Sequence, residues 1–169
     1  REMISKPCID VSNVGYNVEW STELTVEEAK REYIKASVIM EVLAKELDLA
    51  DKKDFAINIS VGYDLKGIKS EKISSFIDDL KDARSYETFQ ECLQVLRQNI
   101  GRFRRFKPED IESISPNITN SVTVSTMHGC KPEEILDIGS HLIKDKKLHT
   151  SIKLNPTLLG YHNVRKILD

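Results

Sequence analysis

The sequence predicts an α/β fold with parallel strands, and three observations predict it. Stretches at 55–61, 121–127 and 150–154 alternate apolar with small or polar residues, the period of a strand. Amphipathic stretches of helical period precede and separate them. The connections are tight: the turn His128-Gly129-Cys130-Lys131-Pro132 leads straight from one strand into the next helix. Strand, helix, strand, helix, strand is the repeating unit of a parallel sheet.

The first helix is expected over 25–48. Thr25 and Glu28 form a T-x-x-E capping box, and Tyr33, Ser37, Met40, Ala44 and Leu47 fall on one stripe with Val26, Ala29, Ala36 and Leu43. The run Asp48, Asp51, Lys52, Lys53, Asp54 ends it. In the strand that follows, Phe55, Ile57, Ile59 and Val61 alternate, and Gly62 and Asp64 mark the turn. A helix over 70–83 carries Ile73, Phe76, Ile77 and Leu80 on one face. Another, over 85–100, carries Phe89, Leu93, Leu96 and Ile100, with Gly101 as its expected C-cap. Pro108 opens a short helix in KPEDIESI. The region 85–120 thus reads as a helical pair inserted between the first two strands. Beyond the second strand, EEILDIGSHLI is an amphipathic helix, and TSIKL is a strand closed by Asn155-Pro156.

Composition narrows the function. The 169 residues are 40% hydrophobic and 31% charged, a globular balance rather than a disordered one. Twenty-five Lys and Arg oppose 27 Asp and Glu, so no large positive field gathers nucleic acid or an acidic membrane. No apolar run approaches the ~20 residues that span a bilayer, and no signal-peptide pattern is present. Cys8, Cys92 and Cys130 form no CxxC pair and are an odd number, which argues against a disulfide scaffold or zinc site and fits a reducing cytoplasm. Arg1 is not an initiator Met and NVRKILD stops within a helical pattern, so residues 1–169 are expected to be a fragment of a longer chain.

Ligands of parallel α/β folds meet the C-terminal ends of the strands. Three such ends are legible: SVGYDLKG (60–67), STMHGC (125–130) and KLNPTLLG (153–160). The second packs Ser125, Thr126, His128 and Cys130 just before a helix N-terminus, which favours an anion or an electron-rich ring edge. The competing reading is a capped helix and a satisfied turn. The third places Lys153 in an apolar strand, where it faces solvent with an acidic partner or serves as a cation near an oxyanion, a flavin or a Schiff base. Asn155 adds an amide donor. The cluster RFRRFK (102–107) has cations and aromatics suited to single-stranded nucleic acid, but it follows a helix end, where positive charge complements the dipole, and the structural reading is favoured. Trp20, within NVGYNVEW, reads as a hydrophobic staple or an interface anchor.

VTVSTMHGC, a helix, and LHTSIKLNPTLLG together resemble the amino-terminal barrel of the selenate reductase subunit family, large iron–sulfur and pyridine-nucleotide-linked flavoproteins. SKPCIDVSNVGYNVEWSTELTVEEA resembles the same family's region after its second barrel strand. That barrel is similar in turn to the flavin barrels of dihydroorotate and dihydropyrimidine dehydrogenases. The resemblance implies part of a (β/α)₈ TIM barrel, since 169 residues fall short of the ~250 of a complete one. It implies a flavin mononucleotide (FMN) in this barrel, contacted by Ser125, Lys153 and Asn155, with Thr126, Cys130 and Lys153 as catalytic residues. FAD, NAD(P) and iron–sulfur clusters would sit in other domains of the same polypeptide, and the substrate would be a small organic molecule. Two departures stand out. Thr123 occupies the place of a flavin-contacting asparagine, and Thr126 that of the catalytic cysteine or serine. They leave a second expectation open, a cofactor-less barrel acting as an assembly platform; a lyase using Lys153 as a Schiff base is a third.

Overall fold

The computed structural model describes residues 24–49, 55, 57–125, 132–153 and 160–168. Its elements are α1 (Val26–Leu47), β1 (Asn58–Val61), α2 (Leu65–Ile68), α3 (Glu71–Lys81), α4 (Glu87–Asn99), a 3₁₀ turn (Ile100–Arg102), α5 (Pro108–Ile111), β2 (Ser121–Ser125), α6 (Pro132–Lys144), β3 (His149–Lys153) and α7 (Tyr161–Leu168). The strands form one sheet in the order β1-β2-β3, and β2 and β3 are parallel. The chain divides into two compact units, residues Arg1–Asn58 with Glu71–Asn120, and Ile59–Ser70 with Ser121–Asp169.

In the first unit, α1 packs against α3 and α4. The capping box forms as expected: the Glu28 amide donates to Thr25 Oγ1 at 3.2 Å and the Thr25 amide to Glu28 Oε2 at 2.8 Å. All four apolar residues assigned to α3 are buried, and Tyr33 meets Phe76 edge-on at 6.2 Å. The face that α1 buries differs from the expected one. Ala29, Ser37 and Ala44 of the expected stripe are buried, but Met40, Leu43 and Leu47 are exposed, and Lys30, Ile34, Val38, Glu41 and Val42 are buried in addition. The reason is that two charged residues on the inner face have built-in partners. Lys30 Nζ reaches Asp79 at 2.6 Å and Glu27 at 3.0 Å and lies 4.7 Å from the Tyr86 ring centre. Glu41 accepts the Ser115 amide at 3.2 Å. A hydrophobic pattern counts both as solvent-facing and so rotates the face.

Helix ends also differ from expectation. Gly101 is no left-handed cap: α4 tightens into the 3₁₀ turn, closed by Phe103 N–H donating to the Ile100 carbonyl at 3.2 Å. At the end of α1 it is Asp48 that adopts φ 57°, with Leu49 N–H returning to the Ala44 carbonyl at 3.0 Å.

In the second unit α6 packs against β3, and Val122, Val124, Ile138 and Leu142 are all 0–1% exposed. The alternation of β2 puts Val122 and Val124 on one face of the sheet. The strands run somewhat differently from the sequence reading: β1 begins at Asn58, with Phe55 and Ile57 ahead of it, and β3 begins at His149.

Candidate active site at the strand ends

The register of β2 and β3 aligns Ser121 with His149, Val122 with Thr150, Thr123 with Ser151, Val124 with Ile152, and Ser125 with Lys153. Directly paired residues of adjacent strands share a face. Ser125 and Lys153 are therefore neighbours at the C-terminal end of a parallel pair, on the face opposite Val122 and Val124. Ser125 is buried, and Lys153 is exposed. Of the site residues named from sequence, these two are brought together; Thr126, His128, Cys130 and Asn155 lie outside the described residues, as does Trp20.

The end of β1 is built by contacts that the sequence reading did not find. Asp64 Oδ1 accepts the Gly67 amide at 2.6 Å and caps α2, a single turn. A Cβ on Gly67 would stand 2.8 Å from Tyr63 Cβ, so this close return of the chain needs glycine. The Leu65 amide donates to Glu134 Oε1 of α6 at 2.9 Å, which ties the loop after β1 to the first turn of the helix after β2. Asp followed by apolar Leu65 and Ile68 was the available signal for α2. Nothing local in the sequence announces Glu134 as its anchor.

Other groups with chemistry are committed elsewhere. Burial pushes the Cys92 thiol up, away from the nucleophilic thiolate. His141 Nδ1 lies 2.7 Å from Asp145, whose carboxyl is held below its usual range first by that hydrogen bond. A recess of about 450 Å³ in the first unit includes Glu41, Ser113, Asn117 and Thr119. Its polar atoms are largely spoken for: Ser113 donates to the Asp110 carbonyl, Asn117 to Lys81 and Thr119 to Ile57. The RFRRFK cluster is a clasp on α1. The amides of Arg104, Arg105 and Phe106 converge on the Glu46 carboxylate at 2.8–3.1 Å, and Phe106 is 1% exposed. Its buried ring packs edge-on against Phe103 and is no platform for a base. Among the described residues no cluster of three or more His, Cys, Asp or Glu is placed to hold a metal, and no helix is long and apolar enough to cross a membrane.

Residues 1–169 match the family described as the N-terminal TIM-barrel domain of oxidoreductase YgfK. The chain belongs to this family. Its fold is accordingly that of a TIM barrel, of which the described sheet shows three strands. Over 178 aligned residues it is 41% identical to the protein named "Putative oxidoreductase YgfK" of Escherichia coli (strain K12), covering 98% of this chain. The protein of the same name from Escherichia coli O157:H7 matches to the same extent. The chain spans 17% of the length of these curated relatives. No solved structure matches it. Family membership bears on the strand ends directly, because in TIM barrels the C-terminal face of the strands carries the active site.

Proposed function

We propose that this barrel is the substrate-handling part of a multi-domain oxidoreductase, with Ser125 and Lys153 at the centre of its site. The observation that carries the reading is the Ser125–Lys153 pair, a hydroxyl beside a cation at adjacent strand ends in a family named for an oxidoreductase. The pair suits the electron-rich edge of a flavin such as FMN: Lys153 and Ser125 would hold that edge, and Asn155 would add a donor. A flavin, when bound there, supplies a two-electron acceptor. Lys153 would stabilise negative charge at the flavin edge or on an enolate of the substrate. Thr126 or Cys130 moves the proton, Thr126 only through a relay because its hydroxyl hardly ionises near neutral pH. Other domains, bearing FAD, NAD(P) or iron–sulfur clusters as in the selenate reductase-like flavoproteins, carry the electrons away, in the cytoplasm. The substrate is a small organic molecule.

The absorption spectrum of the full-length protein, with identification of the flavins it releases, tests this reading. The expected result is FMN in addition to any FAD. Thr123, in the place of a flavin-contacting asparagine, favours the second reading, a cofactor-free platform for assembly. FAD without FMN would decide for the platform.

A further inference from the structure

We propose that the outer face of α1, with the basic segment clasped to its C-terminal end, is the docking surface for an acidic amphipathic helix from the rest of the polypeptide. This rests on the reading of the barrel as one domain of a longer chain, and it names the contact by which another domain seats on it.

α1 has two apolar faces. Ile34, Val38 and Val42 stand four residues apart on the buried face, and α1 packs against α3 and α4. Ile39, Leu43 and Leu47 repeat that spacing five residues on, which turns them about 140° around the helix. They and Met40 are 40–56% exposed. A helix that is apolar on both sides is ordinarily covered on both. Single exposed apolar side chains are common on a surface, but a continuous run of them marks a place of interaction. Residues four apart form the kind of ridge that fits the groove of another helix. The shape therefore asks for a helix.

Charge gives that helix its sign. The amides of Arg104, Arg105 and Phe106 bind Glu46, one turn beyond Leu43, and so fix segment 102–107 at the C-terminal end of the ridge. Arg105 is paired with Asp48. Arg102, Arg104 and Lys107 are exposed and make no ion pair among the described residues. Arg102 donates to Asn99 Oδ1 at 3.5 Å and Lys107 to the Arg104 carbonyl at 2.6 Å, both neutral acceptors. Arg104 has only Glu46 within electrostatic reach, and that carboxylate is already engaged by the amides. An acidic helix end supplies the missing counter-charge, and a basic one is repelled.

Length favours the source. The chain spans 17% of the length of its curated relatives, so most of such a polypeptide would be tethered to this surface. A tethered partner acts at an effective concentration that a free one does not reach. Contacts between domains of one chain are also of this mixed apolar and polar kind.

Photo-crosslinking within the full-length protein tests this. The photoreactive residue p-benzoylphenylalanine replaces Leu43, and mass spectrometry of the digested product locates the partner. The expected result is one cross-linked segment beyond residue 169, amphipathic at helical spacing and carrying Asp or Glu. Arg102→Gln combined with Arg104→Gln, both at exposed positions, should lower its yield about two- to five-fold at an unchanged melting temperature. Added salt should lower the yield of the native protein as well. Cross-links to residues 1–23, or to a second copy in a mixture of isotope-labelled and unlabelled protein, would overturn the proposal. So would the absence of a product, or a yield that neither the arginine variant nor salt lowers. Intact mass checks the multi-domain reading separately. A protein no longer than one barrel would sink that reading, whereas a long chain without the cross-link sinks this proposal alone.

Discussion

Two charged residues show how single side chains hold the first unit. Lys30 is 5% exposed and is paired with Asp79 and Glu27, with the Tyr86 ring beneath it. Removing one member of a buried pair costs more than replacing the cation with an apolar group of similar shape. Asp79→Ala should therefore destabilise by about 1–3 kcal/mol, and Lys30→Met by less. Urea midpoints of the two variants check the order, and the reverse order would mean that the ammonium is not desolvated. Glu46 works through the backbone. Its pKa is lowered first by the Phe106 amide and then by those of Arg104 and Arg105. A carboxylate with a depressed folded-state pKa contributes stability above its unfolded value, about 4.3, and loses it as pH falls through the folded value. The stability gap between the native protein and Glu46→Gln should be full at neutral pH and narrow below about pH 4.3. A gap independent of pH from 7 to 3 would show that the clasp does not depend on the carboxylate charge.

At the scale of elements, the strands were legible because alternation survives in their sequence, and α3 because its four apolar residues all face inward. The buried face of α1 was legible only in part: Ala29, Ser37 and Ala44 are buried as expected, but Lys30 and Glu41 are also inside and their partners come from residues 79 and 115. α2 was missed because one helical turn has too few residues for a period. Its stability comes instead from the Asp64 cap, Gly67 and the distant Glu134. Gly67→Ala should push the added methyl into Tyr63, loosen the cap and destabilise by about 1–3 kcal/mol. Thermal melts check this, and a melt unchanged from the native one would mean that the loop after β1 yields freely. Of the candidate site, Ser125 and Lys153 could be named from strand-end position. Their pairing is a register fact, fixed by hydrogen bonds between segments 28 residues apart in number, from 125 to 153, and no local pattern encodes it.

At the scale of the whole molecule, the described sheet has β1 and β3 at its edges, and Leu136, Ile143 and Ile152 are 71%, 54% and 42% exposed. Open edges and exposed apolar side chains promote association. Expressed alone, residues 1–169 should self-associate in sedimentation velocity, and a monodisperse monomer with a cooperative melt would contradict that expectation. The central claim concerns Lys153. Because it is exposed on its strand, Lys153→Met should change stability by no more than about 0.5 kcal/mol. In the full-length protein the decisive measurement is bound flavin and turnover in this variant set against its melting temperature. A large loss of FMN or turnover at an unchanged melting temperature is the predicted result; full cofactor and full activity would make Lys153 a structural strand residue and contradict the account.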